Sequence, residues 1–202
     1  MLGILLISGP KRSGKTHFIK HLCYQLSLNQ KVNFIKVICP TAYNKSYDFL
    51  PAEHVSKQYN EVVMYELLEE QVTLLKAGVK RPALLILDDC IGTANFKAPI
   101  WEKLATTCRH PNLTVIVVTQ HIFQLPPTLC NNADTVIILK TVDVDNLEGL
   151  YNICGRWKWR TFKEFESYVI ANTDGFKAVV FKGNSVKIVK APAQLKNFVV
   201  KY

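Results

Sequence analysis

Gly9-Pro10-Lys11-Arg12-Ser13-Gly14-Lys15-Thr16 follows directly on the apolar run of residues 2–7 and fits the spacing G-x-x-x-x-G-K-[ST]. Between a strand and a helix, such a loop turns its backbone N–H groups and the positive end of the helix dipole toward anionic oxygens. Gly9 and Gly14 let the backbone come close to a ligand. Lys15 is placed to reach the β- and γ-phosphates of a nucleoside triphosphate, and the Thr16 hydroxyl to take one position around Mg²⁺. The loop Gly9, Pro10, Lys11, Arg12, Ser13, Gly14, Lys15 and Thr16, with His17 after it, is therefore the expected segment binding a nucleoside triphosphate.

Working outward from this loop, apolar strand-like runs recur at residues 2–8, 32–39, 83–87, 113–119 and 135–139, separated by helix-length segments. Such alternation builds a mostly parallel sheet flanked by helices. Leu84-Leu85-Ile86-Leu87 and Val115-Ile116-Val117-Val118 are apolar at every position, as strands buried on both faces must be. Helices are expected over residues 17–28 and 61–77, around Trp101, Leu104 and Ala105, and over 142–153. Residues 167–171, 177–181 and 185–189 alternate or are β-branched, with turns at Thr173-Asp174-Gly175 and Lys182-Gly183-Asn184, and predict a small C-terminal antiparallel β appendage. The expected organisation is α/β, one domain over residues 1–202 with a core to about residue 140.

Two further segments carry polar groups toward the same edge. The strand 84–87 runs into Asp88-Asp89, and in an open α/β sheet ligands sit beyond the carboxyl ends of the strands. Asp88 is thus expected to hold Mg²⁺ and Asp89 to orient or deprotonate the attacking water. The strand 113–119 runs into Gln120, a candidate to sense the γ-phosphate or to position water. Arg109, just before that strand, lies at its opposite end, too far for its own nucleotide but able to reach a neighbour's.

Composition narrows the class. The chain of 202 residues carries a net charge of +9, with no acidic residue before Asp48 and no apolar run of membrane-spanning length. A basic balance favours a polyanionic partner. The short apolar N-terminus runs straight into the phosphate loop, so a cleavable leader is not expected there. Cys23, Cys39, Cys90, Cys108, Cys130 and Cys154 show no paired ligand spacing and read as reduced, mostly buried thiols. Arg156-Trp157-Lys158-Trp159-Arg160 has two readings: cations and aromatics that meet nucleic acid, or two tryptophans packed on the core with the charges in water.

Gly9 to Thr16, Leu84 to Asp89, Arg109-His110 and Val115 to Gln120, in this order, resemble the poxvirus-type viral DNA-packaging ATPases of the FtsK/HerA superfamily. The resemblance covers about residues 1–139. It implies a P-loop NTPase (RecA/FtsK-like) fold in which the loop is Walker A and residues 84–89 are Walker B. It also implies a homo-oligomeric ring, pentamer or hexamer, in which Arg109 serves as a finger on the adjacent subunit's nucleotide. Double-stranded DNA and capsid proteins are the implied partners, and the infected host cytoplasm or a virion vertex the implied location. Many superfamily members carry Glu where this chain has Asp89, which is shorter by one methylene. Since the chain starts at the first core strand, it reads as a minimal motor. The alternative is a nucleoside or nucleotide kinase, although no Arg-rich lid segment is evident. A GTP switch would need a base-reading Lys that Asn131-Asn132-Ala133-Asp134 does not supply.

Overall fold

The computed structural model describes residues 3–42, 46–90 and 92–193, so Leu2 of the first expected strand lies outside the described residues. Five parallel strands form as anticipated: β1 (Ile4–Ser8), β2 (Phe34–Ile38), β4 (Ala83–Asp88), β5 (Leu113–Thr119) and β6 (Thr135–Ile138). A two-residue β3 (Val55–Ser56), too short to leave a pattern in the sequence, pairs with β2 at the edge. With β7 (Lys177–Lys182) and β8 (Ser185–Lys190) they make one eight-stranded sheet in the order β3-β2-β4-β5-β1-β6-β7-β8.

Alternate residues of the central strands feed two cores. Ile4, Leu6, Leu85, Leu87, Val115 and Val117 face one side of the sheet. There they meet α2 (Glu61–Lys76), α3 (Pro99–Thr107), α5 (Val144–Leu150) and α6 (Phe162–Asn172) through Met64, Leu68, Trp101, Leu104, Leu147 and Phe165. Leu5, Ile7, Leu84, Ile86, Ile116 and Val118 face the other side, under Phe18, Ile19 and Cys23 of α1 (Lys15–Leu28) and under Tyr47, Phe49 and Leu50. A short α4 (Pro127–Asn131) leads into β6. Burial of each such side chain contributes about 1.5–3 kcal/mol, so the sheet is held mainly through its central strands. All six cysteines are buried free thiols, and burial pushes Cys23 up to about 12 and Cys108 and Cys130 up to about 11.

The C-terminal region departs from expectation in two ways. Residues 167–171, read as strand-like, belong to helix α6. Phe165 and Val169 lie one turn apart and fully buried, and Thr161 with Glu164 forms a reciprocal capping box. The cap and the inward stripe outweigh the strand preference of Val169 and Ile170. The antiparallel strands are present, but they join the core sheet: β7 pairs with β6, Ile138 opposite Val179, and β8 pairs with β7, Lys177 opposite Lys190. The stretch expected as one helix over 142–153 is α5 followed by a π-helical turn, Tyr151–Gly155. A Cβ on Gly155 would come within 2.7 Å of both Phe165 and Tyr151, so the wider turn lets the backbone itself pack on those rings.

Candidate functional site

β1, β4 and β5 run parallel in matched register, Ser8 opposite Thr119 and Asp88 opposite Val118. Their carboxyl ends therefore deliver the phosphate loop, the acidic pair and Gln120 to one edge of the sheet. Lys11, Arg12, Lys15, Thr16, Asp88, Asp89 and Gln120 line a single cavity there of about 380 Å³. Thr41, Gly92, Val118, Thr119 and Gln124 complete the lining.

The loop is shaped to hold an anion. Gly14 is the N-cap of α1 with φ 90°, a left-handed conformation that a side chain disfavours, and no side chain caps the first turn. The first amides of α1 are thus left for an external acceptor. A Cβ on Gly9 would lie 2.7 Å from Ser13 Oγ and 3.0 Å from Leu139 Cβ. Ser13 Oγ is buried without a hydrogen-bond partner, the kind of orphan that a bound oxyanion relieves. Lys15 Nζ donates to the Gly9 and Pro10 carbonyls at 2.7 and 2.8 Å, folded back over the loop. Burial lowers its pKa, while Asp88 and Asp89 act in the opposite sense.

Asp88 is 6% exposed at the end of β4 and accepts a 2.8 Å hydrogen bond at Oδ2 from Tyr47 Oη. Burial raises its pKa and the Tyr47 donor works against that rise. Tyr47 and the more distant Cys39 thiol both donate to Oδ2; Oδ1 accepts none among the described residues. A hard divalent cation fits this oxygen set of Asp88 carboxylate and Thr16 hydroxyl in one cavity. Asp89 turns out of the strand into water with φ 56°, a positive value shared by Arg12 (φ 64°) across the cavity.

Asn146 is fully buried and braces the two halves of the site. Its Nδ2 donates to Ser8 Oγ at 3.2 Å, just ahead of the phosphate loop, and its Oδ1 accepts from Ile122 N at 2.8 Å in the turn beyond Gln120. Neither Asn146 nor Tyr47 announces itself in the sequence, because their partners lie 24 to 138 positions away along the chain. Thr41 could have been found, since it follows β2 at the same carboxyl edge.

Two expected residues stand elsewhere. His17 does not line the phosphate cavity; its Nε2 lies 2.7 Å from the Pro192 carbonyl, beside a second cavity. α1 rotates it away from the cavity that Lys15 and Thr16 line. Arg109 sits at the opposite end of β5, as anticipated, and is engaged within its own chain. Its guanidinium forms a bidentate pair with Asp134 at 3.0–3.1 Å and donates to the Asn132 carbonyl at 2.7 Å. Asp134 in turn accepts from Ile4 N at 2.8 Å, tying β5, β1 and β6 together at that end. Of the two tryptophans, Trp159 packs against Phe165, Tyr168 and Phe181, whereas Trp157 is exposed beside Arg156 and Lys158. Trp159 thus follows the packed reading, while Trp157 stays at the surface with the charges.

Comparison with known proteins places the chain by fold and by family. The uncharacterized protein 075L of Invertebrate iridescent virus 6 is 24% identical over 180 residues, covering 87% of this chain and 68% of that protein. The genome packaging NTPase B204 from Sulfolobus turreted icosahedral virus 2, in complex with sulfate, superposes with a TM-score of 0.71 at 19% identity, over 96% of this chain and 98% of B204. The pCW3 conjugation coupling protein TcpA, with ATPγS, superposes with a TM-score of 0.67 at 12% identity, over 99% of this chain and 61% of TcpA. These structural likenesses establish a shared fold, the P-loop NTPase sheet with its flanking helices. The model of the Poxvirus A32 protein family matches residues 3–170, and the chain belongs to that family.

Proposed function

We propose that the chain is an ATP-hydrolysing motor that translocates double-stranded DNA during viral genome packaging. The observation that carries this reading is the convergence of Lys15, Thr16, Asp88, Asp89 and Gln120 on one cavity, with the first turn of α1 uncapped. Lys15 moves from the Gly9 and Pro10 carbonyls to the β- and γ-phosphates. Thr16 and Asp88 would hold Mg²⁺, which neutralises phosphate charge when bound. Asp89 orients the attacking water and accepts its proton, and Gln120 reports on the γ-phosphate. In a ring of subunits, Arg109 of one copy faces the nucleotide of the next and stabilises charge on the transferring phosphoryl group.

The net charge of +9 and the exposed Arg156, Trp157 and Lys158 favour a polyanionic partner such as duplex DNA. Capsid proteins are the further partners of such a motor, which would act in the infected cytoplasm or at a virion vertex. Among the described residues no helix is long and apolar enough to cross a membrane. The kinase alternative is disfavoured: the matching family is the A32 family, and B204 is a genome packaging NTPase.

Phosphate release measured with and without duplex DNA, and with a panel of nucleosides and nucleotides, tests the proposal. DNA-stimulated release with no phosphorylated acceptor is expected. Stoichiometric phosphorylation of a small acceptor would sink the motor reading.

A further inference from the structure

Beside the phosphate loop lies a second cavity, distinct from the one lined by Lys15, Asp88 and Gln120. It measures about 500 Å³ and its lining is mostly apolar. His17 in the first turn of α1 forms one wall, Gly175 and Phe176 at the α6–β7 turn another, and Lys190 and Ala191 at the end of β8 a third.

Topology explains this convergence. Because β7 runs antiparallel to β6, its first residue lies at the carboxyl edge of the parallel strands, and because β8 reverses again, its last residue does too. The groups expected at the γ-phosphate, Asp88, Asp89 and Gln120, leave β4 and β5 on one side of β1, while β6, β7 and β8 lie on the other. A triphosphate seated on the loop with its γ end toward β4 and β5 sends its nucleoside toward this cavity.

Phe176 is the residue that makes the cavity more than a crevice. It is 63% exposed and has φ 60°, a region that a bulky side chain enters only under strain. Residues kept in such conformations cluster at ligand clamps. Its ring lies against the loop itself: a Cβ on Gly14 would stand 3.0 Å from Phe176 Cδ1. The turn is anchored by Lys140 Nζ on Asp174 Oδ1 at 2.6 Å, and the opposite wall by His17 Nε2 on the Pro192 carbonyl. An exposed aromatic face beside a phosphate loop, in a cavity within the about 300–1,000 Å³ usual for small ligands, is suited to a flat heteroaromatic ring. Lys190 can donate to that ring's nitrogen or oxygen acceptors.

We propose that this cavity is the nucleobase subsite, with Phe176 as the stacking platform for the base of the bound nucleoside triphosphate. The inference rests on the first cavity being the triphosphate site.

Calorimetric titration of the full chain with ATP and, separately, with inorganic tripolyphosphate tests it. Phe176→Ala is expected to weaken ATP binding by about 5- to 100-fold, the effect of losing one base–aromatic stack, and to leave tripolyphosphate binding unchanged. Phe176→Tyr, which keeps the ring, should retain wild-type ATP affinity. The fluorescence of 2-aminopurine riboside triphosphate should be quenched on binding to wild type and Phe176→Tyr, but not on occupancy of Phe176→Ala at saturation. If Phe176→Ala leaves ATP affinity intact, or weakens ATP and tripolyphosphate equally, the subsite is overturned while the triphosphate site stands. If tripolyphosphate neither binds wild type nor displaces ATP, the reading of the first cavity fails and this one fails with it.

Discussion

Tyr47 Oη donates a 2.8 Å hydrogen bond to Asp88 Oδ2 between side chains that are 3% and 6% exposed. The carboxylate proposed to hold the metal is therefore one whose charge is costly, and its main compensation comes from a residue more than forty positions away. Burial raises the Asp88 pKa above the ordinary 3.8, and the Tyr47 donor, which favours the charged form, moderates the rise.

The first prediction concerns pH. With Asp88 in the proposed metal-holding role, turnover needs its charged form, so activity should fall on acidification at a pH above the ordinary aspartate range. Tyr47→Phe removes the donor that favours the charged form and should move that acid limb to higher pH. A pH profile of kcat that is identical in both proteins would show that Asp88 does not set the limb.

A second prediction follows for stability. Because the folded state holds the Asp88 proton more readily than the unfolded chain, stability declines as pH rises from the unfolded value of 3.8 through the raised folded value, and the penalty persists at neutral pH. Asp88→Asn should therefore abolish turnover and raise the melting temperature at pH 7, by about 2–4 °C for each kcal/mol relieved. A melting temperature below wild type would contradict the assignment of burial as the dominant cause.

Lys15 and Asp89 separate binding from chemistry. Lys15→Ala should lose nucleotide affinity. Asp89→Asn should keep it while losing about 10²- to 10⁴-fold in turnover, the usual worth of a positioned base. If Asp89→Asn hydrolyses ATP at the wild-type rate in a single-turnover assay, another group is the base.

Arg109 is already committed to Asp134 and Asn132 in its own chain, so service to a neighbour requires that it share or exchange those partners. An arginine finger is worth about 10³- to 10⁵-fold, so Arg109→Ala and Lys15→Ala proteins should each be nearly inactive. Mixed together, they should recover turnover, since a Lys15→Ala subunit can lend its Arg109 to an intact loop next door. Mixtures that stay inactive while co-assembling would place Arg109 in a purely structural role.

Asn146→Ala should orphan the Ile122 amide and release Ser8, at a cost of about 1–3 kcal/mol, read as a lower melting temperature. It should also raise KM for ATP, because the phosphate loop and the Gln120 turn lose their common brace. An effect on stability with KM unchanged would confine Asn146 to the fold.

The central strands were legible because two-sided burial forces every position to be apolar, as in Leu84 to Leu87. The carboxyl-edge rule then placed the acidic pair beside the loop without any knowledge of contacts. What escaped reading was whatever depends on closure of the chain in space. Tyr47 and Asn146 are ordinary polar residues until β4 and β1 arrive next to them. Val169 and Ile170 suggested a strand, since β-branching is local information, whereas the cap at Thr161 and the burial of Phe165 are what make the segment a helix. His17 follows the loop directly in sequence, but a helix turns each successive side chain by about 100°, so it lines the second cavity and not the first.

Arg12, Asp89 and Phe176, three of the five non-glycine residues with positive φ among the described residues, border the two cavities at one edge of the sheet. Conformations of this kind cost about 1–3 kcal/mol each, and glycine or asparagine would relax all three. A library of variants sorted only for heat resistance should therefore drift toward those replacements and return molecules that melt later and turn over less, making the same three positions a ready marker of selection for work rather than for endurance.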